Sequence, residues 1–444
     1  MKIVHLADLH LGRLGKEDGN VARNLPEEQW EILCQIKQII QKKKIEAEED
    51  DDGFCVIIAG DVFQDGNPTK EALEMYGDFT YFLAENKIPT YIISGNHDNN
   101  YRLSYERQVM KLNGIYISPE FDGIFKEGEN YIIQKDKYGE VTFYLIPFTS
   151  PKIVNDIYRD EGICEGDKNL FPTNMVESIV KHIKEEVKDF DDRRNVAIAH
   201  FYVKGSVVKE GGSEVKSEIG TLREVDAKSL EDFDYVALGH IHKPQDIRKY
   251  KNKMRYAGSP LQYTFNETDY KKTVTVVTLK DKETGPSYEE VELKLPHELK
   301  TLERNTLEEI KEVVNTGEFD SEAYYQIKIK QTKEETGSIF YDTFKPMNVL
   351  DVVWTERNND NNQNYNGIHV DTGLSREEQV NRFYNVKYSE EMDSKQSELI
   401  SFLFDKLEKN NSKGKITDSL YDEIARDALM EIGVIEQKNN NKEE

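Results

Sequence analysis

The chain has 444 residues, 37% of them hydrophobic and 32% charged, with a formal charge of −25, which is enough for two or three domains and at least one sizeable core. The acidic surplus excludes a protein that grips a polyanion through a broad basic face, and no apolar run approaches the roughly 20 residues needed to span a bilayer. Three cysteines, Cys34, Cys55 and Cys164, lie far apart with no CxxC pair, which excludes a disulfide framework and a thiolate zinc site.

In chain order, the segment MKIVHLADLHLG carries His and Asp inside its apolar run and has no small-residue cleavage site, so the expected compartment is the cytoplasm. Short apolar runs then alternate with helical stretches as far as residue 280, the pattern of a layered α/β domain: IVHLA, FCVIIA, TYIIS, VTFYLIP, NVAIA and DYVALG. After Pro26, residues Trp30, Leu33, Ile36 and Ile40 share one helical face, and EAEEDDD at 46 to 52 reads as a solvated loop before the next strand. Asn67 and Pro68 predict the start of a second helix bearing Leu73, Tyr76 and Leu83.

Beyond Pro296, Thr306 with Glu309 predicts a capping box for a short helix that Gly317 ends, followed by the strand-like runs YYQIKIK and NVLDVVW. The expected organisation is a catalytic domain over 1–280, a small α/β capping domain over 281–355, an Asn-rich linker over 356–374, a helical partner-binding segment over 375–435 and a disordered tail over 436–444. Leu399, Phe402, Leu403 and Leu407, then Leu420, Ile424 and Leu429, give that segment two amphipathic helices.

The chemistry lies where the apolar runs end. IVHLA leads to Asp8 and His10, FCVIIAG to Asp61, TYIISG to Asn96, His97 and Asp98, NVAIA to His200, and DYVALG to His240 and His242. Ligands of α/β sheets bind outside the carboxyl ends of the strands, so these polar termini are expected to gather at one place. Residues two apart on an extended segment face one side, which lets Asp8 with His10, and His240 with His242, each present two groups. Gly60, Gly95 and Gly239 precede these positions where the backbone must turn.

Seven candidate ligands result: Asp8, His10, Asp61, Asn96, His200, His240 and His242. One ion cannot use seven and stay open, whereas two ions about 3.5 to 4 Å apart, bridged by a carboxylate, can clamp the attacking and leaving oxygens of a phosphoryl displacement. Imidazole, carboxylate and amide donors suit Mn²⁺, Fe²⁺ or Zn²⁺, with Mn²⁺ the first choice. Taken singly, each of these residues has an ordinary role as a surface histidine or a helix cap, but those roles do not account for the set. His5 sits inside a strand out of phase with Asp8, and His182, His297 and His369 have no supporting neighbours, so all four are assigned no site role.

With DLHLG at 8–12, GDVFQDGNP at 60–68, GNHD at 95–98, His200 and GHIH at 239–242 in that order, the chain resembles the calcineurin-like metallophosphoesterase superfamily. The segments NHDNNYRLSYERQ, AHFYVKG, DYVALGHIHKPQ and RYAGSPLQYTFNE resemble its Mre-type nucleases. The resemblance implies a β-sandwich flanked by helices, a capping domain and a helical segment that binds an ATP-hydrolysing coiled-coil partner. It also implies a homodimer within a heterotetramer that acts on DNA. Carried over by position, it implies one metal on Asp8, His10, Asp61 and His242 and another on Asp61, Asn96, His200 and His240. His97 would then stand beside the leaving oxygen, with Asp98 fixing its ring. Some relatives carry a second histidine three residues after the bridging aspartate, where this chain has Gln64. Arg13, Arg102, Lys204 and Lys243 flank the motifs as candidate phosphate contacts. The implied activity is 3′ to 5′ double-strand exonuclease and single-strand or hairpin endonuclease; a phosphoesterase acting on nucleotides or phosphoproteins, and a non-catalytic scaffold, are the rival readings.

Overall fold

The computed structural model describes residues 1–13, 21, 23–160, 172–208, 224–331 and 343–354. Strands β1 (Lys2–Leu6), β2 (Phe54–Ala59), β3 (Thr90–Ile93) and β4 (Ile115–Ser118) run parallel to one another. A second sheet holds β5 (Tyr131–Asp136), β6 (Gly139–Ile146), β7 (Arg194–His200), β8 (Tyr235–Gly239), β9 (Gln245–Asp246) and β10 (Met254–Tyr256), in the order β5-β6-β7-β8-β10-β9. The chain then returns to the first sheet with β11 (Thr273–Leu279) and β12 (Pro286–Glu292), giving β12-β11-β1-β2-β3-β4.

The burial follows from the two-residue period of a strand. On β2, Cys55, Ile57 and Ala59 enter the core between the sheets with Val196, Ile198, Tyr235 and Ala237. Val56 and Ile58 face the other way and pack with residues of α1 (Leu25–Glu49) and α2 (Lys70–Glu85), among them Ile36, Ile40, Met75 and Phe79. On the second sheet, Ala197 and Ala199 pack in the same way with Val176, Ile179 and Ile183 of α6 (Pro172–Glu186). Two sheets face to face with helices outside them agree with the sandwich implied by the family resemblance.

The sequence expectations differ from the structure in four places. Helix α1 continues through Glu49, so the first half of EAEEDDD is helical and not a loop. Ala47 is fully buried, and Lys2 and Lys43 pair with Glu46, which offsets acidic residues at a helix C-terminus. The cap of α2 is Thr69, whose side chain accepts from the Ala72 amide, not the Asn67–Pro68 pair, and Leu73 lies on the exposed side of that helix. The first domain also outruns 280. β12 pairs with β11 through Glu292, and Leu293 packs in the core of the first sheet.

A third sheet of β13 (Leu299–Arg304), β14 (Tyr324–Ile329) and β15 (Asn348–Trp354) is parallel. With it goes α7 (Leu307–Thr316), capped by the Thr306 hydroxyl at the Glu309 amide and ended by Gly317 at φ 69°. The proposed linker, helical segment and tail lie outside the described residues. No described helix is long and apolar enough to cross a membrane.

At the end of the sandwich opposite the carboxyl ends of its parallel strands, Arg194 grips Asp136 at 2.5 and 3.0 Å and also donates to the Leu279 and Lys280 carbonyls, tying the sheets together. Burial opposes ionisation of Asp136, but hydrogen bonds from Arg194 hold its carboxyl below the usual range. Its contribution is therefore complete above the unfolded value of about 3.9 and lost as pH falls through the folded one. Urea midpoints of the parent and Asp136→Asn are expected to differ by a constant amount at pH 6 to 8, and to converge as the pH drops below about 4.

Candidate metal centre

The structure brings all seven candidate ligands together beyond the carboxyl ends of β1, β2, β3, β7 and β8, but the backbone there is not extended as expected. β1 stops at Leu6, and Asp8, His10 and Asp61 have φ of 53°, 45° and 50°, with His240 at 99°. Such left-handed conformations cost an L-residue about 1–2 kcal/mol each and persist where surrounding bonds enforce them. Here the first two ligand loops are zipped together by Asp8 N to Gly60 O at 3.1 Å and His10 N to Asp61 O at 3.0 Å. Gln29 of α1 donates to the His10 carbonyl at 2.7 Å and accepts from the Gly12 amide.

The reason for the glycines also differs from the expectation at two positions. Gly60 has φ 87°, as a sharp turn requires, whereas Gly95 and Gly239 are outside the positive region. A Cβ at Gly95 would lie 2.1 Å from Asp61 Oδ1, and one at Gly239 would lie 1.9 Å from the Ala59 carbonyl oxygen. Close approach to the site is what excludes a side chain there.

Two groups of atoms face each other across Asp61. On one side His10 Nε2 is 3.0 Å from His242 Nε2, and these two residues with Asp8 offer ligand atoms all within 4.8 Å of one another. On the other, Asn96 Oδ1 is 3.1 Å from His200 Nε2 and 3.0 Å from His240 Nδ1. Asp61 Oδ2 lies 3.3 Å from His200 Nε2 and 3.7 Å from His10 Nε2. Asp8 Oδ1 accepts from the His240 amide at 2.8 Å, while its buried Oδ2 has no hydrogen-bond partner among the described residues.

The donor set fits cations. His200 Nδ1 donates to the Ala59 carbonyl at 2.9 Å and His242 Nδ1 faces Glu267 Oε1 at 3.1 Å, which assigns the lone pair of each neutral ring to Nε2. Those lone pairs then point at another ring nitrogen, an amide oxygen and a carboxylate, an arrangement that needs positive charge between the partners. The titration tendencies without metal carry the same message. Burial opposes charge at His200, but Asp61 above all raises its pKa; burial likewise pushes Asp61 up, yet His200 and His10 bring it well below the carboxylate range. Asp8 is raised, by burial first. Nitrogen and oxygen donors around a shared carboxylate suggest a two-metal site.

The role expected for Asp98 is corrected. Its carboxylate accepts from the amides of Val62, Phe63 and Gly95 at 3.1, 2.8 and 2.9 Å and so braces the Asp61 loop against the Asn96 loop. Burial and then the Asp61 charge push its pKa up to about 6, against those three donors. The group set against His97 is instead the backbone carbonyl of Gln64, 2.8 Å from Nδ1. The identity of the side chain at 64 is therefore not what holds this ring. His5 lies in the core, 3.0 Å from the Tyr235 hydroxyl, and His182 and His297 face the carbonyls of Gly123 and Glu322; His369 lies outside the described residues.

Glu267 was missed in the sequence. It is buried behind His242, and Lys272 Nζ donates to it at 2.6 Å. Burial would raise its pKa, but Lys272 and His242 hold it well below the usual range, so it stays anionic and fixes the His242 tautomer. A carboxylate behind a ligating imidazole is typically worth 10- to 100-fold in metal affinity. Glu267→Gln is expected to weaken metal binding by about that factor, with the second ion affected less, as measured by titration calorimetry on metal-stripped protein.

Residues 1–244, more than half of the chain, match the family profile of the calcineurin-like phosphoesterases. The chain belongs to that family. Among curated proteins it is similar to the SbcD subunit of nuclease SbcCD from Staphylococcus epidermidis, 31% identical over 285 residues that make up 63% of this chain and 67% of the relative. It is similar also to the protein of the same name from Staphylococcus saprophyticus, 28% identical over 415 residues, 93% of this chain and the whole of the relative.

Proposed function

We propose that the chain is the catalytic subunit of an SbcCD-type DNA end-processing complex, a phosphodiester hydrolase that works as a 3′ to 5′ double-strand exonuclease and a single-strand or hairpin endonuclease. The observation that carries the reading is the convergence of six nitrogen- and oxygen-bearing side chains on the two sides of a seventh, Asp61; the relatives' names support the nuclease activity. Asp8, His10, Asp61 and His242 would hold one ion and Asp61, Asn96, His200 and His240 the other, with Mn²⁺ the best suited. Bound there, two such ions supply Lewis-acid charge for a phosphoryl displacement. With Nδ1–H donating to the Gln64 carbonyl, His97 in its imidazolium form would carry a second proton on Nε2, which passes to the leaving 3′ oxygen and leaves the ring neutral.

The relatives' names support an SbcC-type coiled-coil ATPase as the partner; the sequence carries no GxxxxGK(S/T) loop, so any ATP used would be bound by that other chain. Tyr101, Tyr105, Val109 and Leu112, on or beside α3 (Asn100–Leu103) and α4 (Arg107–Leu112), are exposed apolar side chains that support a homodimer within a heterotetramer.

Linear duplex DNA and bis-p-nitrophenyl phosphate assayed side by side with Mn²⁺ test the reading. Shortening of end-labelled duplex from its 3′ ends is expected. Hydrolysis confined to nucleotides or phosphopeptides would establish a small-substrate phosphoesterase instead. Truncation after Gly373 is expected to leave Mn²⁺-dependent cleavage of a short single strand within about twofold of the parent while abolishing co-purification with the ATPase.

A further inference from the structure

One stretch of chain touches the metal centre with one set of side chains and the third sheet with another. Residues 257–264 belong to no helix or strand, so their placement rests on side-chain contacts rather than on a backbone ladder. Toward the metal centre, the Tyr263 ring meets His10 and His242 edge-on, with ring centroids 5.6 and 5.8 Å apart. Its hydroxyl donates to the Leu9 carbonyl and accepts from Gln29 Nε2 at 3.2 Å. Glu267, four residues on, backs His242 through Oε1 and accepts from the Tyr263 amide at Oε2, 3.3 Å away.

Gln262 and Phe265 engage the third sheet. Gln262 Oε1 accepts from the Leu299 amide at 2.9 Å, while its Nε2 donates to the Glu267 carbonyl at 3.2 Å. Phe265 packs with Leu299, Tyr324 and Leu350, a cluster near the amino ends of β13, β14 and β15. Arg23 closes the joint: it donates to the Gln262 carbonyl at 2.7 Å, pairs with Glu28 at 2.6 Å, and stands 5.8 Å from the centre of the Tyr324 ring. Gln262, Arg23 and Glu28 are buried, so losing one of these partners leaves a polar group without water to replace it. By contrast, His200 ends β7 and bonds to the Ala59 carbonyl at the end of β2, and Asn96 follows β3. Those two are placed by strands of the sandwich itself.

We infer that Gln262 and Phe265 are positioning residues through which the third sheet sets the affinity of one metal position, the Asp8, His10, Asp61 and His242 group, and leaves the other to the sandwich. The inference rests on the two-metal reading above. Removing either side chain frees the stretch to shift, and with it the ring set against both imidazoles of that group and the carboxylate that orients one of them. A displacement of the third sheet would therefore act on one ion and spare the other.

The test titrates Mn²⁺ into metal-stripped full chain by calorimetry, in the parent, Phe265→Ala, Phe265→Leu and Gln262→Ala, and in Phe265→Ala combined with Glu267→Gln or with Asn96→Ala. Phe265→Ala and Gln262→Ala are each expected to weaken one ion by about three- to tenfold, less than loss of the carboxylate behind an imidazole ligand, with the other ion at the parent's affinity. Phe265→Leu keeps an apolar side chain in the joint and should bind as the parent does. With Glu267→Gln a single affinity should fall further, whereas with Asn96→Ala both should fall. Equal weakening of both ions would mean a general loosening of the fold and would overturn the inference. So would parent affinities in both single variants, or weakening of the ion that Asn96→Ala weakens. If Phe265→Ala loses the parent's circular dichroism spectrum, Gln262→Ala, which removes only an amide, carries the same comparison. A parent that takes up a single ion would fail the two-metal reading itself.

Discussion

Replacement of His97 by alanine is expected to slow DNA cleavage by about 10² to 10⁴ while both metals stay bound and duplex affinity stays within a few-fold of the parent. Alanine keeps the backbone amide that donates to Asp61 Oδ1 at 2.9 Å and removes only the ring, whose Nδ1 lies 2.8 Å from the Gln64 carbonyl. It meets His10 edge-on, with 4.9 Å between ring centroids, so it borders the ligand set without sharing the Asn96, His200 and His240 contacts. An alkoxide is a poor leaving group, and a proton delivered from Nε2 is what alanine removes. Single-turnover rates with elemental analysis of the same sample check the outcome. Near-parent turnover would reject the proton-transfer role. Loss of one ion would make His97 a ligand, which the proximity of His10, Asp61 and His97 allows.

The candidate site was legible in the sequence because its residues stand just past apolar runs long enough to be read as strands, and strand ends of a layered sheet meet. What could not be read was the backbone between them. Left-handed Asp8, His10 and Asp61 have no local sequence signal, since they are enforced by bonds between loops some fifty residues apart. For the same reason Asp98 looked like a partner for its neighbour His97, when its three donors come from amides of Val62, Phe63 and Gly95. Glu267 was hidden because FNE carries no periodicity, and its meaning depends on His242, 25 residues earlier. The fold was readable where both faces of a strand are buried, as in FCVIIA. It was not at β12, PSYEEVE, a charged edge strand whose inclusion is decided by pairing with β11.

Asp61→Ala is expected to leave the protein with less than one metal ion per chain, whereas Asn96→Ala should keep between one and two. The Asp61 carboxylate oxygen lies 3.7 Å from His10 Nε2 and 3.3 Å from His200 Nε2, between the two groups, so its loss would remove a ligand from each ion and the negative charge that offsets their mutual repulsion. Asn96 is neutral, and its Oδ1 faces only His200 and His240; its removal leaves Asp8, His10, His242 and Asp61 in place. Without a cation, Asp61→Ala also deprives the buried His200 of the carboxylate that does most to raise its pKa. Circular dichroism verifies folding, and elemental analysis after gel filtration in metal-free buffer counts the ions, with Asp61→Asn as the isosteric control. Two ions retained in Asp61→Ala would mean that the bridging group is another side chain, with Asp8, whose Oδ2 is buried without a described hydrogen-bond partner, the next to replace.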